Sequence, residues 1–197
     1  MVQLPDHYVI CREQSVQEPL RDWIDFHVQA VPPSAWLYVR HAALTCEAYV
    51  SVVQQLALQR PDLRLMVMAK HAMMFMENSA TIQGVHFSRQ DLMQLGHMQD
   101  YPSAWFKFAA CHDEGSIQKA NQLKLDAITL SPLHATRTHP HVAALGWENW
   151  QALALHSQVP VYALGGVQLS DLGLVQQHAG FGIAGIRGFM AESNTQA

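Results

Sequence analysis

The sequence predicts an α/β fold of the (β/α)8 or TIM-barrel class, formed as a single domain by residues 1–197. Short apolar, often β-branched segments alternate with amphipathic segments of helical length, which is typical of parallel strands joined by crossover helices. Eight such apolar segments occur, and eight parallel strands can close into a barrel. An open, doubly wound sheet is the alternative, and the count of eight favours the barrel.

Each apolar segment has the length of a strand and is followed by a helical pattern or by turn residues. In chain order the predicted strands are 7–11, 36–40, 63–69, 81–86, 105–111, 126–131, 159–164 and 181–186. The predicted helices between them are 14–29, 45–59, 71–79, 89–96, 114–123, 147–157 and 169–178, with a last turn after Arg187. Strands this apolar indicate a sheet that is covered on both faces.

The bulk composition excludes several classes of partner. A net charge of −4 and a pI near 6.3 disfavour binding to nucleic acid or to an anionic membrane surface. The first residues lack the pattern of a signal peptide, and no apolar run approaches the ~18 residues of a membrane span. The three cysteines are odd in number and widely spaced, which indicates reduced thiols. We therefore expect a cytoplasmic protein, with a homodimer as a candidate assembly.

Histidines follow or end five successive predicted strands, the second to the sixth. They are His41, His71, His86, His112 and His134. The chemistry of a barrel lies at the rim where its strands end, and imidazole is both a proton carrier near neutral pH and a metal ligand. No zinc motif such as HExxH is present, so proton transfer is favoured over metal binding. Chance placement is the competing explanation in a chain with 12 histidines.

Glycine-bearing turns end the last two predicted strands. Gly165 and Gly166 follow the seventh strand, and Gly185, Arg187 and Gly188 end the eighth. Exposed backbone N–H groups at these two loops form the phosphate site of many such barrels. We expect the two turns to hold one phosphate, with Arg187 as a candidate clamp. The alternative for the glycine pair is a tight turn without a ligand.

Several segments resemble the thiamine phosphate synthase/TenI family. They are IQGVHFSRQDL at 82–92, SPLHATRTHP at 131–140, LGWENW at 145–150, PVYALGGV at 160–167 and AGFGIAGIRG at 179–188. The similarity is greatest to the TenI-type domain that follows a MutT-like Nudix hydrolase in some two-domain proteins. No stretch here resembles the Nudix signature, so we expect a stand-alone barrel. The resemblance implies a TIM barrel that binds a small phosphorylated heterocycle of the thiazole phosphate type.

Position by position, the resemblance implies a ligand-binding set around the rim. It comprises Arg40, Thr136, Thr138, Gly166, Ile186, Arg187 and Gly188. The position of Ser131 in the loop after the sixth strand and of Gly165 in the glycine turn adds these two residues to the predicted ligand site. The family's synthases join a pyrimidine pyrophosphate to a thiazole phosphate with magnesium, and Asp91 matches one magnesium aspartate. Lys70 stands where the partner carboxylate would be. We therefore expect the thiazole-phosphate half of the site to be kept, and we predict no certain cofactor, with magnesium as a candidate.

The resemblance does not identify the catalytic residue. TenI-like members use a histidine of the sixth-strand loop as general acid/base in thiazole tautomerisation, and that position is Pro132 here. His134 and His112 are the nearest candidates, with His139 as a third. The preferred function is thiazole phosphate binding with proton transfer. The alternatives are a true thiamine phosphate synthase and a non-catalytic binding or regulatory module.

Overall fold

The computed structural model describes residues 3–77, 81–136 and 142–189 of the chain. In these residues eight parallel strands close into a barrel in sequence order, with β8 paired to β1. The strands are β1 His7–Ile10, β2 Trp36–Tyr38, β3 Arg64–Met68, β4 Ile82–Phe87, β5 Phe106–Cys111, β6 Ala127–Leu130, β7 Val161–Leu164 and β8 Gly182–Gly185. The predicted (β/α)8 barrel is confirmed.

Helices alternate with these strands along the chain. The α-helices are α1 Leu20–Ala30, α2 Cys46–Gln59, α3 Arg89–Gln94, α4 Glu114–Gln122, α5 Gly146–Ala154 and α6 Leu172–Gln177. Within the described residues, 3₁₀ helices also span Ala69–Phe75, Leu169–Asp171 and Arg187–Phe189. Ser88 and Asp113 each begin a helix with a reciprocal capping box, which satisfies backbone donors at the rim end of α3 and α4.

The first helix begins later than its periodicity predicts, at Leu20 rather than at residue 14. Pro19 stands at its N-cap, and a proline disfavours helical geometry in the residue before it. The segment ahead of Pro19 forms a loop at the rim instead. A bidentate ion pair between Arg12 and Glu18 closes this loop. The predicted α-helix after β3 is also different, because Ala69–Phe75 is a 3₁₀ helix. Its buried residues are His71, Ala72 and Phe75, and the last two, three residues apart, lie on the same side of a 3₁₀ helix.

The strands divide their side chains between two apolar cores, as alternation along a strand requires. One core fills the barrel and is rich in aromatic rings, including Tyr8, Trp36, Phe108 and Tyr162. The other lies between the strands and the helices. Trp150 of α5 is fully buried in this outer core and donates from Nε1 to the carbonyl of Leu130 at 3.0 Å.

Two further expectations concern the environment of the chain. Cys11, Cys46 and Cys111 are free thiols, as their spacing predicts. Among the helices of the described ranges, none has the length and apolar character that crossing a membrane requires.

Candidate functional site

The turn after β7 has the backbone geometry that its glycine pair predicts. The φ angles of Gly165 and Gly166 are +100° and +69°, a region that residues with a side chain rarely occupy. A Cβ on Gly166 would lie 2.8 Å from Cβ of His134, so the loop after β6 also requires a glycine there. Backbone bonds join the two loops, from Leu133 N to Leu164 O and from His134 N to Gly165 O, both 2.9 Å.

The turn after β8 lies against the turn after β7. The nearest atoms to a Cβ built on Gly188 belong to Val167 and Gln168, at 3.8 Å, so a side chain there would be tolerated. Gly166 and Gly188 are both exposed, and Ile186 is partly buried on the barrel-filling core. The side chain of Arg187 does not belong to the part of the chain that the structure describes. The two glycine turns are therefore adjacent, which is the arrangement that a shared phosphate needs.

The loop after β6 begins with Ser131, which is 8% exposed, and continues to Thr136, which is partly buried. Two of the predicted site residues, Thr138 and His139, lie outside the described residues. Thr136 is the last described residue before that gap.

His112 follows β5, and hydrogen bonds to the loop after β6 fix the orientation of its ring at the rim. Its Nδ1 lies 2.8 Å from the carbonyl oxygen of Ser131. A carbonyl only accepts, so Nδ1 carries the proton of the neutral ring and Nε2 has the free lone pair. The Ser131 hydroxyl oxygen also accepts from Nδ1, at 3.1 Å, and its own proton is then free to be donated. His112 is exposed, so a base with a fixed tautomer faces solvent at this rim.

His134 is placed differently. Its ring meets Trp147 of α5 edge-on, with 5.5 Å between ring centroids, and Trp147 in turn lies 4.7 Å from the ring of His178. The imidazole of His134 thus packs on the helical layer beside the glycine turn.

The other predicted rim histidines are buried. His86 is enclosed in the barrel, stacked 4.2 Å from the Tyr38 ring and hydrogen-bonded to the Tyr8 hydroxyl at 3.0 Å. Burial lowers the pKa of His86 to about 3. His41 donates from Nε2 to Gln14 at 2.7 Å, and burial lowers its pKa as well. Such rings are neutral near pH 7, and they stabilise the barrel and its loops.

Two cations end neighbouring strands on the opposite side of the rim. Arg40 follows β2 and pairs through Nη1 with Glu13 Oε1 at 3.1 Å. Lys70 follows β3 and donates from Nζ to the carbonyl of Ala42 at 2.8 Å. Glu13 was not among the predicted site residues. Its position three residues after β1, at the same rim, is the signal that could have found it.

Asp91, the predicted magnesium ligand, is already engaged in the capping box that begins α3. Its Oδ2 accepts from the backbone N–H of Ser88 at 3.1 Å and from the Ser88 hydroxyl at 2.7 Å, as the third residue of the α3 capping box. Across the residues that the structure describes, no three His, Cys, Asp or Glu side chains converge as metal ligands. Magnesium prefers carboxylate oxygens, and the ammonium of Lys70 carries the opposite charge.

Comparisons with known proteins point to one family. A family model described as thiamine monophosphate synthase matches residues 7–189. "Putative thiamine-phosphate synthase 2" of Aquifex aeolicus is 31% identical over 107 residues, which are 54% of this chain and 57% of that protein. Thiamine-phosphate synthase of Thermosynechococcus vestitus is 25% identical over 118 residues, 60% of this chain and 34% of that protein. These matches span about half and about one third of the relatives' lengths.

Solved structures share the fold at low identity. Thiamine phosphate pyrophosphorylase from Pyrococcus furiosus superposes with a TM-score of 0.63 at 14% identity, covering 92% of this chain and 85% of that one. FabK from Thermotoga maritima gives a TM-score of 0.65 at 10% identity, over 93% of this chain and 59% of that chain. These likenesses demonstrate the barrel alone, because one barrel hosts many reactions.

Proposed function

The chain belongs to the thiamine monophosphate synthase family, and from this premise we propose that it binds a thiazole phosphate, or a similar phosphorylated heterocycle, and catalyses proton transfer within it. The phosphate is held by the turns after β7 and β8, at the backbone of Gly166 and residues 186–188, near Thr136. The heterocyclic ring of the ligand lies over the carboxyl ends of β5 and β6. Two adjacent, exposed glycine turns at the rim support this orientation.

The observation that carries the chemistry is the hydrogen bond from His112 Nδ1 to the carbonyl oxygen of Ser131. It leaves Nε2 as the acceptor, so His112 can remove a proton from the bound ring. The same nitrogen returns the proton at another ring position, and the net result is a tautomer with no change in composition. The Ser131 carbonyl stabilises the intermediate imidazolium because it accepts from its Nδ1–H. General acid–base catalysis of this kind contributes roughly 10²–10⁴-fold in rate.

The relatives' names favour a second candidate, the synthase reaction. Expulsion of pyrophosphate builds negative charge that a metal or a clamp of cations must meet. Arg40 and Lys70 supply cations at that side of the rim, and Asp91 is held by Ser88. We expect thiamine phosphate formation from pyrimidine pyrophosphate, thiazole phosphate and magnesium to stay more than tenfold below about 1 s⁻¹, the low end of ordinary enzymes. A faster rate would establish the synthase instead.

The proton-transfer proposal is tested with thiazole phosphate in deuterated buffer. Calorimetry measures binding, and nuclear magnetic resonance follows deuterium entering the ring. We expect the native protein to bind and to exchange, and His112→Gln to bind within roughly threefold but to exchange about 100-fold more slowly. His134→Gln is the matched control and should exchange at the native rate. Binding without exchange by the native protein would indicate a non-catalytic module, and absence of binding would refute the proposal.

A further inference from the structure

Thr129 lies in the interior of the barrel, one inward position below the rim. Its neighbours Ile128 and Leu130 belong to the outer core, whereas Ala127 belongs to the barrel-filling core. Side chains alternate along a strand, so Thr129 shares the inward face of β6 with Ala127 and, one step nearer the rim, with Ser131. Thr129 and Ser131 are therefore polar exceptions at the inward positions of an otherwise apolar segment.

The hydroxyl of Thr129 is buried without a partner. The residue is 0% exposed, and Oγ1 has no hydrogen-bond partner among the residues described. A buried hydroxyl without a bond destabilises a protein, and valine has the same shape without that cost. A threonine at this position therefore points to a bond that forms only when another molecule is present.

The two neighbours of Thr129 in the barrel register differ in size and in accessibility. Thr129 is in register with Ala110 on β5 and with Tyr162 on β7. The Tyr162 hydroxyl already donates to the carbonyl of Pro5 at 2.7 Å. Ala110, by contrast, is small and partly exposed, so the β5 side is the side from which a ligand in the barrel mouth would approach the buried Thr129 hydroxyl.

Above that level stand the two residues that define the proposed acid/base. His112 is two residues beyond Ala110 on β5, and Ser131 is two residues beyond Thr129 on β6. The Ser131 hydroxyl accepts from His112 and keeps a proton to donate. The polar side chains of His112 and Ser131 thus lie at the rim, and that of Thr129 lies one level below them in the aromatic interior of the barrel.

We propose that Thr129 determines ring specificity: its hydroxyl hydrogen-bonds to a polar atom, a ring nitrogen or a polar ring substituent, at the end of the heterocycle distant from the phosphate. This inference rests on the proposed function, because the phosphate at the β7 and β8 turns orients the ring toward β5 and β6. Thr129 acts in binding, and His112 moves the proton. A phosphorylated ligand whose ring carries no polar atom at that end leaves the hydroxyl unpaired and binds weakly.

The test compares Thr129→Val, which removes the hydroxyl at constant shape, with Thr129→Ser, which keeps it. Without ligand, Thr129→Val should raise the melting temperature by roughly 2–4 °C. With thiazole phosphate, its affinity should fall about tenfold, whereas Thr129→Ser should stay within roughly threefold. Affinity for inorganic phosphate, which occupies the turns alone, should be equal in all three proteins. Thr129→Ala, which cannot overpack the barrel, should show the same loss of affinity.

The outcomes separate this inference from the function on which it rests. If the native protein binds thiazole phosphate and Thr129→Val binds it equally well, the role of Thr129 is refuted and the proposed function stands. A lower melting temperature for Thr129→Val would show that the hydroxyl already has a partner, and would refute it too. If the native protein binds inorganic phosphate but not thiazole phosphate, both proposals fail while the phosphate turns remain.

Discussion

Nδ1 of His112 and the carbonyl oxygen of Ser131, 2.8 Å apart, connect the ends of β5 and β6 and fix the protonation pattern of one exposed imidazole. The carbonyl performs the orienting role that a carboxylate often has beside a catalytic histidine. Because the orienting group is backbone, replacing the Ser131 side chain leaves it in place.

His112→Asn is expected to separate positioning from chemistry. The asparagine amide can still donate to the Ser131 carbonyl, but it has no basic nitrogen at the position of Nε2. Ring deuterium exchange should therefore fall roughly 10²–10⁴-fold, with little change in the melting temperature. Exchange at the native rate would assign the base to another residue.

Gly188→Ala and Gly166→Ala are expected to differ in their effect on folding. A methyl group on Gly188 meets nothing closer than 3.8 Å, so its free energy of unfolding should change by no more than about 0.5 kcal/mol. Gly166 has a φ of +69°, so alanine there should cost about 1–2 kcal/mol in backbone strain, in addition to the contact with His134. Chemical denaturation measures both.

The same Gly188→Ala protein tests the phosphate turn. A methyl group on this exposed turn should hinder the approach of a phosphate to the backbone and weaken its binding in calorimetry. Native affinity for both inorganic phosphate and thiazole phosphate would place the phosphate elsewhere.

Glu13→Gln is expected to release Arg40. The pair is partly exposed, with 32% of the Arg40 side chain and 61% of the Glu13 side chain accessible, so stability should change by less than about 1 kcal/mol. Loss of the carboxylate makes the guanidinium available to anions. Affinity for inorganic pyrophosphate should rise, more at low salt than at high salt, and Arg40→Gln should abolish the gain. An unchanged affinity would show that Arg40 does not face the ligand.

Acid pH is expected to destabilise the fold through His27. Its ring is fully buried, with Nδ1 2.7 Å from the carbonyl of Trp23 and Nε2 accepting from Arg12 N–H, and burial lowers its pKa to about 4. The unfolded chain, with an ordinary histidine pKa of about 6.5, then binds more protons than the native state between these values. The free energy of unfolding should fall as pH drops from about 6.5 toward 4, by up to about 1.4 kcal/mol per unit from this residue.

His27→Gln supplies the control for that titration. Glutamine does not titrate, so the slope of unfolding free energy against pH should decrease by the contribution of one histidine, whatever the variant's absolute stability. A slope identical to that of the native protein would mean that His27 is not the titrating group.

The barrel was predictable because it depends on local patterns. Eight apolar segments and the helical patterns between them gave strand bounds within a few residues, and Gly165 and Gly166 have the positive φ that their turn implies. The capping role of Asp91 was also readable, since serine followed three residues later by an acidic residue ahead of a helix is a capping signal.

What the sequence could not give depends on register and on contacts between distant loops. His86 ends the fourth predicted strand, yet it faces the barrel interior because the strand extends to Phe87 and its alternation turns the imidazole inward. The bond between His112 and Ser131 joins residues 19 apart, and no local pattern encodes it. The unpaired hydroxyl of Thr129 likewise becomes visible only when the barrel is closed.

The loops after β5, β6 and β7 are bonded to one another in series. His112 is held to Ser131, and the backbone of Leu133 and His134 continues the pairing of β6 with the chain at Leu164 and Gly165. The proposed acid/base residue and the glycine turn are consequently linked through the loop after β6, and these hydrogen bonds constrain the separation between them. Under the proposed function, the protein should therefore select ligands by length: a ligand with one more methylene between phosphate and ring would place a different ring atom at His112.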